Sequence, residues 1–178
     1  MKKALITLLA AITLATAHAQ GWVTYRNDAA GYSITYPSIL RLMPWKGDPS
    51  SSGQWRTKSF QSKDGEVELY VETHSIIPEF KKSLQDEFNA EFTRRTQGGD
   101  YINYSVVKNN WYVITGTTAK GYEFYKKYFV FTSDKTDEDG WWIYFDFVYP
   151  RSEYQFYDPI VAKITHDFNP KLPGNYDH

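Results

Sequence analysis

The chain contains no cysteine among its 178 residues, and this absence excludes several classes of protein. A disulfide-stabilised scaffold, a thiolate zinc site and an enzyme with a cysteine nucleophile all require this residue. The net charge of −1 provides no overall attraction to nucleic acid or to anionic lipid. Basic residues also do not alternate with aromatic ones as they do along a nucleic-acid groove, so we expect no nucleic-acid partner.

Sequence motifs for catalysis and cofactor binding are lacking as well. Beyond residue 20 the histidines are His74, His166 and His178, and none has the spacing of a metal site. No serine lies in a Gly-x-Ser-x-Gly turn, and no glycine-rich loop leads into a phosphate-binding Lys-Ser pair. We therefore expect no cofactor, no metal and no motif-based catalytic residue.

The acidic segment 134–140 comes nearest to a metal site. Aligned with a calcium-binding loop, Asp137 and Asp139 take the third and fifth positions, and Gly140 the sixth. Lys135 takes the first position, where an acidic ligand is required, and the pattern that follows is that of a strand rather than a helix. The segment is therefore interpreted as a solvated loop between strands.

The N-terminus has the three-part pattern of a secretory signal peptide. Lys2 and Lys3 precede an uncharged apolar run over residues 4–15, and Ala17-His18-Ala19 matches a cleavage site. A membrane anchor is the alternative, but the run has about twelve residues where a spanning helix needs about 20. We expect residues 1–19 to be a signal peptide, and residues 20–178 to form a single periplasmic domain without a membrane span.

The abundant residues are aromatic. Six Trp, 15 Tyr and 11 Phe make 18% of the chain, which is incompatible with intrinsic disorder. Two strands, Trp55–Ser62 and Val67–Thr73, flank Asp64-Gly65, which predicts a hairpin with Phe60 opposite Leu69. Residues 141–149 alternate with apolar side chains on both faces, which predicts a central strand.

Other segments complete an α+β pattern. Strands are predicted at 32–36, 101–107, 111–116 and 122–132, where the pair Lys126-Lys127 suggests a bulge or a sheet edge. Apolar residues at helical spacing predict a helix that starts near Pro78 or Ser83, and a second that starts near Ser152 or Asp158. We predict an antiparallel sheet of six to eight strands with two main helices packed on it.

Several segments carry a resemblance to a known family. They are Tyr25-Arg26-Asn27, Gly31–Pro37, Asn110–Gly116, Gly121–Tyr125, Tyr149-Pro150, Tyr157–Val161 and Ile164–Phe168. In order and spacing they resemble exported bacterial PsbP-like and DcrB-like domains, over about residues 22–169. The resemblance implies an α/β/α sandwich, a fold shared with a yeast Ran-binding protein. It implies a binding or assembly role, and it carries over no catalytic residue.

Four aromatic residues are the candidates for a binding surface. Trp45 and Trp55 flank a loop rich in Pro, Gly and Ser, and Trp142 and Tyr144 share the second face of the last strand. Such rings suit a protein partner or a sugar, but rings at this spacing are more often core packing, and we favour packing.

Three classes of function stay open. The first is a non-catalytic exported binding or assembly factor whose partner is another envelope protein. The second is an immunity or inhibitor protein against an envelope-targeted toxin or lysozyme. The third is an envelope hydrolase that uses carboxylates such as Glu68, Glu72 or Asp146.

Overall fold

The structure is a computed structural model that describes residues 21–47, 56–76, 83–132, 140–168 and 170. The predicted signal peptide, Trp55 and the acidic segment up to residue 139 lie outside these ranges. The strands are β1 (Trp22–Asn27), β2 (Tyr32–Pro37), β3 (Arg41–Leu42), β4 (Thr57–Gln61), β5 (Glu68–Ile76), β6 (Tyr101–Val107), β7 (Trp111–Thr117), β8 (Tyr122–Thr132) and β9 (Gly140–Pro150). The helices are α1 (Leu84–Gln97) and α2 (Tyr154–Asp167), and a short 3-10 helix, Arg151–Glu153, leads into α2.

Seven strands form one antiparallel sheet in the order β3-β4-β5-β9-β8-β7-β6, and β1 and β2 form a separate antiparallel pair. Helix α1 packs on one face of the large sheet, over β6 and β7. Helix α2 and the β1–β2 pair cover the other face. The predicted α+β fold is therefore confirmed, with the β1–β2 pair as an addition that the sequence pattern did not separate from the main sheet.

Strand β9 is the central strand, as its two-sided apolar pattern predicts. Its residues Ile143, Phe145 and Phe147 enter the main core below α2, whereas Trp142 and Tyr144 face α1. Both neighbouring strands pair with it in full antiparallel register. A strand with large side chains on both faces buries most area in this position.

The β4–β5 hairpin has the predicted register, with Phe60 opposite Leu69. Its turn differs in detail from the prediction. The Gly65 N–H donates to the Ser62 carbonyl at 3.1 Å, so Lys63 and Asp64 form the corner rather than Asp64 and Gly65. Gly65 follows with φ of 79°, a left-handed conformation that glycine adopts without strain.

Helix α1 begins at the second of its two predicted starts. The N–H of Asp86 donates to Ser83 Oγ and the N–H of Ser83 donates to Asp86 Oδ2, which is a capping box. Leu84, Phe88 and Phe92 then pack on the sheet. Helix α2 begins at Tyr154, and Pro159 lies inside it.

The predicted irregularity at Lys126-Lys127 is wrong. Strand β8 lies inside the sheet, and its register with β7 and β9 runs without a shift. The irregularity is in β6, where Asn103 has no partner on β7 and forms a bulge. Gly116 permits this bulge, because a Cβ at that position would lie 2.0 Å from the Tyr101 carbonyl oxygen.

Candidate functional site

Of the four aromatic candidates, the structure describes Trp45, Trp142 and Tyr144. Trp45 follows β3, and its side chain is 38% exposed. Trp142 and Tyr144 lie on β9 and are half-buried. All three belong to the side of the large sheet that carries α1, because the cleft beside Trp45 and the rings of β9 share Tyr70.

The centre of this region is the carboxylate of Glu72 on β5. It accepts hydrogen bonds from Tyr144 Oη at 2.6 Å and from Tyr70 Oη at 3.0 Å. His74 Nε2 lies 2.5 Å from the other carboxylate oxygen, which requires the proton on Nε2. Burial raises the pKa of Glu72, but these three hydrogen bonds outweigh burial and lower the pKa to about 2.

The phenols around Glu72 stay protonated. Burial, and then the neighbouring Glu72 charge, raise the pKa of Tyr70 to about 12. Burial also raises the pKa of Tyr144 well above its usual range. Both hydroxyls therefore act as fixed donors that keep the carboxylate ionised.

Stacked rings extend from this centre across the sheet. Tyr112 and Tyr128 are directly opposite each other on β7 and β8, with ring centroids 4.8 Å apart. Tyr128 stacks in turn on Trp142, at 5.6 Å. The row ends on β5, where His74 stacks on Trp142 at 4.4 Å. Aromatic packing of this kind fixes the orientation of each ring.

A cleft of about 220 Å³ is lined in part by Tyr70, one of the donors to Glu72. Met43, Pro44 and Trp45 form one part of its lining, and polar residues of β4 with Tyr70 form another. The indole of Trp45 lies against Gly47, where a Cβ would come within 2.3 Å of the ring. Tyr70 therefore contacts both features, because its side chain lines the cleft and its hydroxyl donates to Glu72.

Asp146, one of the three carboxylates considered for hydrolysis, belongs to a buried ionic cluster below α1. Its Oδ2 accepts a hydrogen bond from Arg95, and Arg95 also binds Glu91 at 2.7 Å. Lys126 lies 3.3 Å from Glu91 and 3.9 Å from the centroid of the Tyr144 ring. Burial raises the pKa of Asp146 although Arg95 and Lys126 oppose this rise. The lysine that suggested a bulge is thus an internal partner of the helix.

The register brings Glu68, Glu72 and Asp146 to the same face of the sheet. Each of them is engaged by side-chain donors, and Glu68 accepts hydrogen bonds from Ser59 at 2.6 Å and Gln61 at 3.1 Å. Within the described ranges no group of three acidic or histidine residues could hold a metal ion. The acidic segment that was compared with a calcium-binding loop lies almost entirely outside those ranges.

Sequence reasoning missed the roles of Tyr70 and His74, and it considered Glu72 only as a candidate carboxylate for hydrolysis. The side chain of Glu72 is only 20% exposed, and that of His74 is 36% exposed. A signal was present, because Tyr70, Glu72 and His74 alternate along one strand face and are interleaved with Val71 and Thr73, which are buried. The pattern could not show that β5 pairs with β9, whose aromatic side chains lie beside these residues on the same face of the sheet.

Searches with family models and with curated proteins found no match. Among solved structures, the chain is similar to the solution structure of cyanobacterial PsbP (CyanoP) from Synechocystis sp. PCC 6803. The TM-score is 0.58 with 15% sequence identity, over 84% of this chain and 92% of that chain. The fold is therefore PsbP-like. Within the described residues, no helix has the length and apolar character needed to cross a bilayer.

Proposed function

We propose that the chain is an exported, non-catalytic binding or assembly factor that holds another envelope protein on the α1 side of its sheet. The binding region is called the Glu72 surface, and it consists of Trp45, Tyr70, Glu72, His74, Trp142 and Tyr144. The observation that carries the proposal is the position of Tyr70. Its ring lines the Trp45 cleft and its hydroxyl donates to Glu72, so that separate candidates form one connected surface.

The chemistry of the Glu72 surface supports binding. Tyr and Trp offer large contact area with little loss of conformational entropy, together with polar edges that can bond a partner. Rings that are already stacked need little further ordering when a partner docks. Glu72 is held ionised by three donors, which suits an anchoring carboxylate better than a general acid, whose pKa must lie near the working pH.

The exported location is part of the same proposal. Residues 1–19 would be removed as a signal peptide, and the domain from Gln20 would work in the periplasm. We also propose that the chain is related to exported PsbP-like and DcrB-like proteins. The structural similarity to CyanoP supports a shared fold.

The test is a pull-down from an envelope extract with the immobilised wild-type chain and two variants. Trp45→Ala removes the exposed wall of the cleft, whereas Trp22→Ala is a matched control because Trp22 is also 38% exposed and lies on β1. We expect one partner that the wild type and Trp22→Ala retain, with about tenfold less recovered by Trp45→Ala. Recovery of the same proteins by all three chains, or of none, would contradict the proposal.

A further inference from the structure

Two carboxylates belong to the sheet face that carries the Glu72 surface. Alternation along β5 places Glu68 and Glu72 on the α1 side of the sheet, with Tyr70 between them. They are four residues apart, which corresponds to about 13 Å between their Cα atoms at about 3.3 Å per residue. Helix α1 packs over β6 and β7, so the helix does not cover the β5 part of this face.

Hydroxyl, amide and imidazole groups bond to both carboxylates. Two side chains of β4 donate to Glu68, and two phenols and the His74 imidazole bond to Glu72. In the part of the chain that the structure describes, neither carboxylate forms an ion pair with a lysine or an arginine. Lys46 and Lys58 line the neighbouring cleft, and neither carboxylate lies within ion-pair distance of them. The cluster below α1 differs in this respect, because an arginine and a lysine bind its carboxylates.

Both carboxylates can accept a further hydrogen bond. Among the described residues, Glu68 uses Oε1 for both of its bonds, and Oε1 of Glu72 contacts His74 alone. A carboxylate has about four lone-pair sites, so each of the two keeps a site for a partner. Only a hydrogen-bond donor can occupy these sites. A cationic donor is favoured, because charge-assisted hydrogen bonds are about twice as strong as neutral ones.

The rings beside Glu72 also favour a cation. Tyr144 already binds one, because Lys126 Nζ lies 3.9 Å from the centroid of its ring. The faces of Trp and Tyr rings attract cations, more strongly where water is partly excluded. Tyr70, Trp142 and Tyr144 are half-buried, so part of this aromatic row is accessible. A guanidinium fits better than an ammonium, because it is planar, stacks on aromatic rings and can bind a carboxylate through two parallel hydrogen bonds.

We propose that the Glu72 surface, together with Glu68, recognises a basic extended segment of the partner protein, in which two arginines four residues apart bind the two carboxylates. The inference rests on the proposed function, because it specifies the chemistry of the protein that this surface would hold. An extended segment has the same rise per residue as β5, so arginines four residues apart match the separation of Glu68 and Glu72. Charge complementarity of this kind gives specificity and a fast association rate.

The test uses a short fluorescent peptide with two arginines four residues apart in a background of glycine and serine. Its binding to the full chain is measured by fluorescence anisotropy at low salt. We expect Glu72→Gln and Glu68→Gln each to weaken binding about fivefold or more, and a peptide with glutamines in place of the arginines to bind at least about tenfold more weakly. Glu153→Gln is the matched control, because it changes the net charge equally but Glu153 lies on the exposed 3-10 helix, so the affinity should not change.

Circular dichroism should show the wild-type fold for both glutamine variants, and Glu68→Gln decides the outcome if Glu72→Gln does not fold. Equal affinity of the wild type and the folded variants, equal affinity of the two peptides, or no binding of the arginine peptide would overturn the inference. The envelope pull-down separates this failure from failure of the proposed function. If Trp45→Ala loses a partner that Glu68→Gln and Glu72→Gln both retain, the proposed function stands and only this inference is wrong. A pull-down without any partner contradicts the proposed function itself.

Discussion

Replacing Arg95 by methionine should be among the most damaging substitutions in the chain. The Arg95 side chain is 6% exposed and binds Glu91, Asp100 and Asp146. Its guanidinium also lies 3.8 Å from the centroid of the Phe124 ring. Methionine has a similar length but no charge, so of the cations that the structure places against these carboxylates Lys126 and the largely exposed Arg94 would remain, both in ion pairs with Glu91. Removing one partner from a buried ionic cluster lowers the free energy of unfolding by more than the net contribution of the ion pair, because the remaining charges stay desolvated.

The expected loss is about 3–5 kcal/mol in the free energy of unfolding. For a domain of this size each kcal/mol corresponds to about 2–4 °C in Tm, which gives a fall of about 6–20 °C. Urea unfolding followed by tryptophan fluorescence and by far-ultraviolet circular dichroism would measure the loss. The two signals should coincide, because α1 and the sheet unfold together.

Arg94→Met is the matched control. Arg94 binds the same Glu91, at 2.6 Å, but its side chain is 64% exposed, and exposed ion pairs contribute about 0–1 kcal/mol. The double variant Arg95→Met/Asp146→Leu should lose less than the sum of the two single variants, because both buried charges are removed together. A loss below about 1 kcal/mol for Arg95→Met, or strict additivity in the double variant, would refute the reasoning.

Three further outcomes are expected. The pKa of Glu72 is lower in the folded chain than in the unfolded chain. The contribution of Glu72 to stability is therefore present above the unfolded pKa and is lost as the pH falls toward about 2. Glu72→Gln should flatten the dependence of the unfolding free energy on pH in this acid range. Ser83→Ala, which breaks the capping box with Asp86, should cost about 0.5–2 kcal/mol in urea unfolding, whereas Gln85→Ala should cost less. Gly116→Ala should accelerate amide exchange along β6, because the added Cβ would overlap the Tyr101 carbonyl and force the bulge open.

The parts of the fold that the sequence predicted are those specified by local patterns. The two-sided alternation of β9 indicated its central position, and Ser83 with Asp86 indicated the start of α1. Lys126 was misinterpreted because a charge in an apolar strand is usually exposed or at an edge. Its partner Glu91 lies on α1, and nothing local in β8 indicates that this helix crosses above it.

The candidate site was predictable only in part, for the same reason. Trp142 and Tyr144 could be assigned to one face of β9, and Trp45 could be noted beside a loop. Their connection requires β5, which brings Tyr70 and Glu72 between them. Sheet order depends on long-range pairing, and a strand's own residues do not specify its neighbour.

The pairing of β5 with β9 also determines when the domain can assemble. About seventy residues separate these partners along the chain. Strand β9 pairs with both β5 and β8. Helix α2, which packs on β2, follows β9 in the chain. A chain synthesised only as far as β8 therefore lacks the strand that unites the two halves of its sheet. Such a polypeptide can complete its sheet only after β9 is available, so the two halves of the sheet stay unjoined until translation is nearly finished.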